Sequence, residues 1–376
     1  MKIAITGGHL TPALAVIEKL KELRPDCEIF FFGRRLALEG DKSESFESDI
    51  ISQKNISFIN ITSGRLQRYF SFSNLLTPFK LLTGIIQSLL YIRKYGIDVV
   101  LSFGGYLSVP VVLAGWILRK KVVLHEQTVK LGLANRINSF FADIILISFE
   151  NTKKYLPNDK IILTGNPLRA GILYENNSSA FLKLANTNYP VIFVTGGNQG
   201  SHVLNMLVYE IIPDLLKKYT VVHQCGSASE FKDFEKLADL KAKIGQESAN
   251  RYFIYKSINP DEMGALYSVA HLVVGRSGIN TVSEIFYYDI PSVLLPLPYS
   301  GGQEQRENAL WLQTKLPVII LEQKNTKSAH LLAAIEKITA NSTLKLNNNR
   351  ELKTLFKSAA GNIAVNVIEC YEASHK

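Results

Sequence analysis

The sequence alternates short, continuously apolar runs with helical patterns from one end to the other. In the first half, the apolar runs predict strands at 2–6, 28–33, 98–103, 121–126, 143–148 and 160–165. In the second half, they predict strands at 190–196, 219–224, 251–256, 271–275, 291–297 and 317–323. Strands that are apolar on both faces and separated by helices are typical of parallel sheets covered by helices on both sides. The pattern therefore predicts an α/β chain with two doubly wound, Rossmann-like domains.

A polar segment with broken periodicity, 165–189, separates the two sets of strands. We expect it to link an N-terminal domain, 1–164, to a C-terminal domain, 190–361. The final helix, 362–376, has an apolar face that suits packing on either domain, the first included. Parallel sheets of this kind bind ligands at the carboxyl ends of their strands. Two such domains facing each other are therefore expected to leave one cleft, lined by the loops that follow the strands.

The composition limits the compartment and the partners. Lys and Arg total 42 against 33 Asp and Glu, a net charge of +9 that favours anionic partners. No RNA- or DNA-binding motif accompanies this charge, so nucleic acid is not the expected partner. The three cysteines are far apart and lack metal-ligand spacing, which indicates a reducing, cytoplasmic setting. The sequence shows no signal-peptide pattern and no run of roughly 18 apolar residues, so we expect no membrane span.

Three loops between a strand and a helix are rich in glycine: "TGGHLTP" (6–12), "FGGYLSVP" (103–110) and "TGGNQGSHVLN" (195–205). Glycines let a ligand approach the backbone, and the following helix offers unpaired N–H groups and a positive dipole end. For any one loop a tight turn is the better explanation, but three such loops in a basic chain favour binding of phosphate or diphosphate. In the first loop, Thr11 is predicted to cap the helix, with Pro12 as its first residue.

Two common phosphate-binding classes do not fit. The first loop lacks GxGxxG, and the second strand ends in Phe32-Gly33-Arg34-Arg35, where a dinucleotide-binding domain would place an acidic residue. The Walker phosphate loop is also absent from the sequence. A dehydrogenase and a P-loop nucleotidase are therefore both disfavoured.

The stretch "RSGINTVSE" (276–284) allows two interpretations. Thr281 and Glu284 have the spacing of a capping box, in which Thr caps a helix and Glu reaches back to the first amide. Alternatively, Glu284 accepts hydrogen bonds from two sugar hydroxyls while the amides of 279–283 bind a diphosphate. Arg276, at the strand end, could add charge, although a structural salt bridge is more usual there. Local spacing does not decide between the two interpretations.

Taken in order, these motifs resemble the MurG family of bacterial N-acetylglucosaminyltransferases, which have the GT-B fold. The resemblance is carried by "TGGH" with Pro12, "GGYLSVP", "LHEQT…GLANR", "TGNPLR", "TGGNQGSHVLN", "RSGINTVSE" and "QEQRENA". It implies transfer of N-acetylglucosamine from UDP-N-acetylglucosamine to the C4 hydroxyl of the muramyl sugar in lipid I. The product would be lipid II, for peptidoglycan synthesis and hence cell shape and division. The enzyme would lie peripherally on the cytoplasmic face of the bacterial cell membrane.

The resemblance also implies roles for individual residues. The donor-binding positions would be Thr6, Gly7, Gly8, Thr128, Arg169, Asn198, Ile258, Ile279, Asn280, Thr281, Val282, Ser283, Glu284 and Gln305. Among them, Glu284 would bind the ribose, Ile258 would lie near the uracil and Gln305 would read the hydroxyls of the N-acetylglucosamine. The acceptor loop would be formed by Gly104, Gly105 and Tyr106. The chain departs from the family at several places. Thr128 stands where Asn is usual, Asn198 where Ser is usual and Glu304 where His or Gln is common; "AITGGH" replaces GGTGGH, and the segment 39–51 is unlike the family.

Inverting sugar transfer needs a base for the acceptor hydroxyl and a group that stabilises the leaving diphosphate. His9 is the first candidate for the base, and a loop histidine bonded to backbone is its structural alternative. His125 and Glu126 are the second candidates, with a buried structural pair as the alternative. The other five histidines, which we expect to be structural or exposed, are His202, His223, His271, His330 and His375. The sequence has no Asp-x-Asp pair, so we expect neither a metal nor another cofactor.

The segment 61–96 mixes basic and apolar side chains. Five of its apolar residues have the spacing of a helix that faces the core: Phe79, Leu82, Ile86, Leu89 and Leu90. Others precede that helix in a loop: Tyr69, Phe70, Phe72, Leu75 and Leu76. The basic residues are Arg65, Arg68, Lys80, Arg93 and Lys94. Basic and aromatic side chains together favour peripheral contact with an anionic bilayer.

Three other functions fit the fold. One is a related GT-B transferase that uses UDP-N-acetylglucosamine on another acceptor. Another is a non-hydrolysing UDP-N-acetylglucosamine epimerase, which would leave the loops "GGYLSVP" and "HEQT" unexplained. A nucleotide-sugar sensor without activity is the third, and two domains with ligand-binding loops disfavour it.

Overall fold

The structure is a computed structural model that describes residues 1–34, 46–62, 77–156, 160–173, 176, 178–299, 301–340 and 349–374. The chain forms two compact units. The first contains Met1–Pro167 and returns from Thr354 onwards, and the second is continuous over Leu168–Lys353. The first crossing, after Pro167, lies inside the segment predicted to be a linker.

The first unit is built on a parallel sheet of seven strands: β1 (Lys2–Thr6), β2 (Glu28–Gly33), β3 (Ser57–Asn60), β4 (Val99–Ser102), β5 (Lys121–Glu126), β6 (Ile144–Ile147) and β7 (Ile161–Leu163). Their order is β3-β2-β1-β4-β5-β6-β7. Its helices are α1 (Leu10–Leu23), α2 (Phe46–Gln53), α3 (Thr77–Tyr95), α4 (Ser108–Ile117) and α5 (Leu133–Asn138). Strand β3 was not predicted, because it is a short edge strand in which Ile59 alone is fully buried.

The second unit has six parallel strands: β8 (Val191–Thr195), β9 (Thr220–Gln224), β10 (Tyr252–Tyr255), β11 (Ala270–Gly275), β12 (Ser292–Leu294) and β13 (Val318–Ile320). Their order is β10-β9-β8-β11-β12-β13. Its helices are α6 (Ala170–Leu173), α7 (His202–Leu215), α8 (Asp233–Lys243), α9 (Gln246–Ala249), α10 (Met263–Val269), α11 (Ile279–Tyr288), α12 (Glu304–Gln313) and α13 (Ser328–Ala340). The predicted fold class, two doubly wound parallel-sheet domains, is confirmed.

In each sheet the direction of winding reverses beside the first strand. Strand β1 pairs with both β2 and β4, and β8 pairs with both β9 and β11. The loops that leave the two central strands at such a point diverge to opposite faces and open a crevice at the carboxyl edge, where ligands bind. Each unit therefore has its own expected site, at Thr6 and Ser102 in the first and at Thr195 and Gly275 in the second.

The last helix, α14 (Arg350–Glu372), begins in the second unit and ends in the first. Its residues Ile363 and Val367 are fully buried in the same hydrophobic cluster as Ile17 of α1 and Ile3 of β1. The end of the helix is held on the surface by a hydrogen bond from Arg24 to Glu372, at 2.9 Å. The first and last segments of the chain thus share one core.

Two predictions about helices were wrong. Helix α1 begins at Leu10, with His9 in the cap position, so that Thr11 lies inside the first turn and caps nothing. Pro12 follows it in that turn, where the missing N–H has no intrahelical partner to lose.

The apolar stripe of α3 does not face the core. Four of its five members are exposed, with relative exposures of 70% for Phe79, 56% for Leu82, 50% for Ile86 and 61% for Leu90. Leu89 alone is half-buried and packs against the core.

The opposite side of α3 is buried instead, and it carries small and aromatic residues. Gly84 lies so close to the Thr62 carbonyl that a Cβ would approach it to 2.1 Å. Tyr91 and Tyr95 pack on the rings of two buried phenylalanines of β2. This face is less apolar in composition than the exposed one, which is why periodicity pointed the wrong way. The predicted loop residues Arg65, Arg68, Tyr69, Phe70, Phe72, Leu75 and Leu76 lie outside the described residues.

Over the part of the chain that the structure describes, no helix has the length and apolarity needed to cross a membrane.

Candidate functional site

At the carboxyl edge of the first sheet, two glycine loops pack backbone against backbone. Gly7 has φ +140°, and a Cβ there would lie 2.9 Å from the Gly104 carbonyl oxygen. The Gly8 amide donates to the same oxygen at 3.1 Å, and a Cβ on Gly105, where φ is +79°, would meet that amide nitrogen at 2.9 Å. The two sequence motifs therefore form one surface on which a side chain at these positions would clash. Tyr106 follows, half-buried.

Two histidines belong to this edge. His9 follows the glycines and is partly exposed, and burial lowers its pKa to about 4. His125, at the end of β5, is fully buried. Burial lowers the pKa of His125 to about 3, against a hydrogen bond to Gly165 that raises it. Both imidazoles are therefore neutral at pH 7, and His9 is the one that solvent or a ligand can reach.

Glu126 is a buried carboxylate held by neutral donors. It accepts hydrogen bonds from the Thr128 amide at 2.9 Å and hydroxyl at 2.7 Å, the Gly132 amide at 3.1 Å and the Asn135 side chain at 3.1 Å. Burial raises its pKa, and these donors lower it. Glu126 therefore holds the loop 127–135 in place, and its bonds go to that loop rather than to His125. Thr128, predicted to contact a sugar, is itself buried, and its hydroxyl lies 2.7 Å from Glu126.

Several buried polar atoms at this edge have no hydrogen-bond partner among the described residues: Thr6 Oγ1, His125 Nδ1, Gln127 Oε1, Asn135 Oδ1 and Asn138 Oδ1. Buried polar atoms are almost always bonded, so such a group at one end of a sheet indicates a site for a ligand that supplies the partners. Asn135 touches Gly104, because a Cβ on that glycine would lie 2.9 Å from its Nδ2 atom. Sequence reasoning missed Gln127 and Asn135, although both lie in motifs that it singled out.

The second unit places Arg169 against Glu284. The Nε atom of Arg169 donates to Glu284 Oε1 at 2.7 Å, and its Nη2 atom lies 2.5 Å from the same oxygen. The Glu284 side chain is only 2% exposed, and the pair is flanked by Tyr267, whose pKa burial raises well above its ordinary value with Glu284 adding to the rise. Burial lowers the pKa of Arg169 and the charge of Glu284 raises it, with a net rise. Arg169 thus holds the Glu284 side chain in place through one of its oxygens.

The capping-box interpretation of this helix is wrong. Gly278 occupies the N-cap of α11 and supplies no side chain, while Thr281 lies three residues inside the helix. Glu284 is three residues further along and turned towards Arg169. A Cβ on Gly278 would meet nothing within 4 Å. The first amides of α11 are therefore not capped by a side chain, and the cap position is open.

Gln305 is tied to the same helix end. The Ser277 hydroxyl donates to the Gln305 backbone carbonyl at 2.8 Å, and the side chain of Asn308 donates to the Ser277 carbonyl at 3.2 Å. The Gln305 side-chain oxygen accepts from the Leu297 amide at 3.0 Å. These bonds bring the start of α12 beside the start of α11. Asn280, in the first turn of α11, has a buried side-chain oxygen without a partner among the described residues.

The glycine loop after β8 carries Asn198. Its backbone carbonyl accepts hydrogen bonds from the amide and hydroxyl of Ser227, at 3.0 and 3.2 Å, so its side chain is left exposed. Gly200 has φ +83°, and a Cβ there would lie 2.0 Å from the Cys225 carbonyl. Ile258, predicted near a uracil, is 6% exposed. Asn198 and Ile258 both belong to the second unit, like the Arg169–Glu284 pair.

Arg276 does not form the structural salt bridge expected at a strand end. Its hydrogen bonds go to the Ser201 hydroxyl, the Leu295 carbonyl and the Gln323 side-chain oxygen. Within the described chain, no carboxylate pairs with it. Sequence reasoning undervalued this residue, because its partners lie far away along the chain.

The remaining histidines fit the structural expectation. His202 pairs with Asp233 at 2.7 Å, and His223 lies between Tyr252 and Asn205 in the core. His271 accepts from the Val191 amide, and His330 is exposed. His375 lies outside the described residues. Across the described residues, no group of three or more His, Cys, Asp and Glu side chains is placed to hold a metal ion.

Comparison with known proteins matches both units in order. Residues 6–147 match the N-terminal domain of glycosyltransferase family 28, and residues 191–363 match its C-terminal domain. A protein of Bacillus thuringiensis subsp. konkukian is 32% identical over 373 residues, which are 98% of this chain and 97% of that protein. It is named UDP-N-acetylglucosamine–N-acetylmuramyl-(pentapeptide) pyrophosphoryl-undecaprenol N-acetylglucosamine transferase 2.

Solved structures share the fold. The crystal structure of Acinetobacter baumannii MurG superposes with a TM-score of 0.67 at 22% identity, covering 98% of this chain and 99% of that one. A UDP-GlcNAc 2-epimerase of Methanocaldococcus jannaschii, in complex with UDP-GlcNAc and UDP, superposes with a TM-score of 0.63 at 15% identity. It covers 98% of this chain and 100% of the epimerase. The fold alone is therefore shared by transferases and epimerases, whereas the sequence match over nearly the whole length is to the transferases. This chain belongs to glycosyltransferase family 28 and, within it, to the MurG family.

Proposed function

We propose that this protein transfers N-acetylglucosamine from UDP-N-acetylglucosamine to the C4 hydroxyl of the muramyl sugar of lipid I, giving lipid II. The observation that carries the proposal is at the start of α11. The helix N-terminus there has no side-chain cap, and the buried carboxylate of Glu284 lies in the same helix, held by Arg169. That combination suits a diphosphate joined to a ribose. The acceptor is inferred from the names of the relatives, which state this reaction.

The donor would bind to the second unit. The open N–H groups at the start of α11 and the helix dipole would take the diphosphate of UDP. Glu284, with Arg169 beside it, would accept hydrogen bonds from the ribose hydroxyls. Gln305 would read the sugar, and Ile258 and Asn198 would border the nucleoside.

The acceptor would bind to the first unit. Gly104 and Gly105 would admit the acceptor close to the backbone, as the absence of side chains there allows, and Tyr106 would border it. Gly7 and Gly8, packed against them, would border both the acceptor diphosphate and the sugar that the donor transfers. The buried polar atoms without partners suit a ligand rich in hydroxyls, because a hydroxyl can donate to one atom and accept from another.

His9 would act as the base. Its neutral imidazole would take the proton from the C4 hydroxyl while that oxygen forms its bond to C1 of N-acetylglucosamine. The bond from C1 to the β-phosphate oxygen would break, with inversion at C1, and UDP would leave with its charge stabilised by the N-terminus of α11. His125 is enclosed, so we assign it to holding the strand end rather than to proton transfer.

We also propose that α3 contacts the membrane surface, so that a lipid-linked acceptor can reach the first unit. Phe79, Leu82, Ile86 and Leu90 form an exposed apolar stripe, and Arg93 and Lys94 are exposed at its end. An amphipathic helix with this arrangement binds an anionic bilayer by burying its apolar side chains and attracting lipid headgroups.

The reaction is tested by incubating the protein with radiolabelled UDP-N-acetylglucosamine, with lipid I or without acceptor. Label in the lipid fraction is the expected result. Formation of UDP-N-acetylmannosamine without acceptor would instead identify an epimerase, and label transferred to a different glycan would identify another acceptor. We expect EDTA to leave the rate unchanged, and loss of activity restored by Mg²⁺ would contradict stabilisation of the leaving group by the helix alone.

The membrane contact is tested by sedimentation with vesicles of phosphatidylglycerol and cardiolipin. The double variant Leu82→Ser, Ile86→Ser should bind at least about tenfold more weakly, since each side chain would lose its apolar burial. Val365→Ser, which changes a side chain 41% exposed on α14, is the matched control. Equal binding of the double variant and the control would remove α3 from the membrane contact.

A further inference from the structure

Arg276 is a buried cation whose contacts are all neutral. Arg276 is 8% exposed. The Nε and Nη2 atoms donate to the Ser201 hydroxyl at 3.0 and 2.6 Å, Nη2 also donates to Gln323 Oε1 at 2.6 Å, and Nη1 donates to the Leu295 carbonyl at 2.9 Å. Burial lowers the pKa of the guanidinium to about 10. It therefore keeps its charge at neutral pH.

A buried charge without a counter-ion is costly, and proteins retain one where it has a use. Arg251, a partly buried arginine of the same unit, shows the ordinary arrangement, in which a carboxylate pairs with the guanidinium. The Arg251 side chain is 15% exposed, lies at the amino edge of the same sheet and pairs with Glu247 at 3.0 Å. No described carboxylate plays that part for Arg276, although it lies at the edge where the site residues gather.

The partners of Arg276 belong to separate elements of that edge. Ser201 is the N-cap of α7, and its hydroxyl also accepts from the Leu204 amide at 3.4 Å. Leu295 follows β12, and Gln323 follows β13. Arg276 itself is two residues before Gly278, the N-cap of α11. One guanidinium therefore ties the start of α7 to the segment that begins α11, and both helices have their positive dipole ends there.

We infer that Arg276 is a positioning residue for the donor diphosphate: it fixes the N-termini of α7 and α11 side by side and adds its own unpaired charge to theirs. The anion that balances this charge is then the ligand and not a protein carboxylate. The inference rests on the proposed binding of UDP by the second unit. It adds that the diphosphate, rather than the nucleoside, depends on Arg276.

The test compares the binding of UDP with that of uridine, which lacks the diphosphate, by calorimetry on the full-length protein. Arg276→Gln should weaken UDP binding by about tenfold or more through loss of the charge, while uridine binding changes less than about twofold. Arg276→Lys should recover part of the lost UDP affinity, because it keeps the charge without the three-way geometry. Arg251→Gln is the control for loss of a partly buried arginine, and its ratio of UDP to uridine affinity should equal that of the unaltered protein.

A milder variant covers the case in which Arg276→Gln does not fold. Ser201→Ala removes the α7 contact and leaves the charge, and it should lower the UDP affinity by a few-fold with uridine unaffected. A parallel loss of UDP and uridine affinity in these variants, or no change in either, would overturn the inference. If the unaltered protein binds neither ligand, the proposed function itself fails, and the two failures are thereby distinguished.

Discussion

The carboxyl edges of the two sheets differ in how their buried polar groups are hydrogen-bonded. In the second unit two arginines of this edge are already bonded, Arg169 to Glu284 and Arg276 to Ser201, while the buried side-chain oxygen of Asn280 has no partner among the described residues. In the first unit the buried groups are mostly neutral, and Gln127 and others lack partners among the described residues. The charged groups of the second edge are thus in place before a charged ligand binds. The unpartnered atoms of the first edge instead need a ligand that supplies hydrogen bonds.

The two buried glutamates make the contrast concrete. Glu126 and Glu284 are 4% and 2% exposed; Glu126 is the last residue of β5, and Glu284 lies in the second turn of α11. Glu126 accepts hydrogen bonds from neutral donors of the loop 127–135, and these bonds hold that loop in place. Glu284 is held by Arg169 through Oε1, and the Tyr267 hydroxyl also interacts with the Glu284 carboxyl. We therefore expect the second carboxylate to read a ligand and the first to shape a surface.

The largest effect should come from the first edge and concern chemistry alone. His9→Ala should lower kcat by about 10²–10⁴, the range typical of a missing general base. The UDP affinity, measured by calorimetry, should stay within about twofold, because the proposed UDP site lies in the second unit. His330→Ala, at an exposed histidine, is the control for kcat. A His9→Ala enzyme with the kcat of this control would leave the first edge without a base.

A smaller effect should come from the second edge and concern binding. Glu284→Ala should weaken UDP binding by about 1–3 kcal/mol, through the lost ribose contact and the unpaired Arg169 that remains. Glu247→Ala removes a carboxylate that is 84% exposed at the opposite edge and should leave the affinity unchanged. Unaltered UDP affinity in Glu284→Ala would mean that the carboxylate serves only to hold Arg169.

The smallest effect concerns stability against pH. Burial lowers the pKa of His223 to about 3, well below the ordinary value near 6.5. Between these values the unfolded chain binds the extra proton, so the contribution of His223 to stability is full above about pH 7 and is lost as the pH falls. Acidification from pH 7 to pH 5 should therefore cost the unaltered protein about 2 kcal/mol more than the His223→Gln variant.

Urea unfolding followed by circular dichroism at the two pH values measures this difference. His330→Gln, which changes an exposed histidine, should lose as much stability as the unaltered protein. Equal losses in all three proteins would show that His223 is protonated in the folded state at pH 5. A first-unit variant such as His125→Gln extends the comparison, because burial lowers the pKa of His125 to the same value of about 3.

The fold could be predicted from the sequence because buried parallel strands are apolar on both faces. The predicted strands match the observed ones to within about three residues at their ends, and the miss, β3, is an edge strand with little burial. The side of α3 that faces the core could not be predicted. Its buried side depends on the close approach of Gly84 to Thr62, and glycine does not register as apolar.

The candidate site divides in the same way. Loops such as 6–12 and 276–284 could be located, because glycine and helix-start signals are local. The capping-box alternative was wrong because the N-cap position of α11 is occupied by Gly278, which has no side chain. The partners of Arg276 could not be found, since Ser201 lies 75 residues away along the chain and reaches it only through the pairing of β8 with β11.

The sharing of one core by α1 and the end of α14 has a consequence for synthesis. The second unit is complete once Lys353 has left the ribosome, but the first still lacks Ile363 and Val367 at that moment. The unit translated later is therefore able to fold first, and the first unit must wait for the part of α14 that begins at Thr354 before its core is closed. A truncation that removes Ile363 and Val367 would accordingly destabilise the first unit, although that unit is translated first.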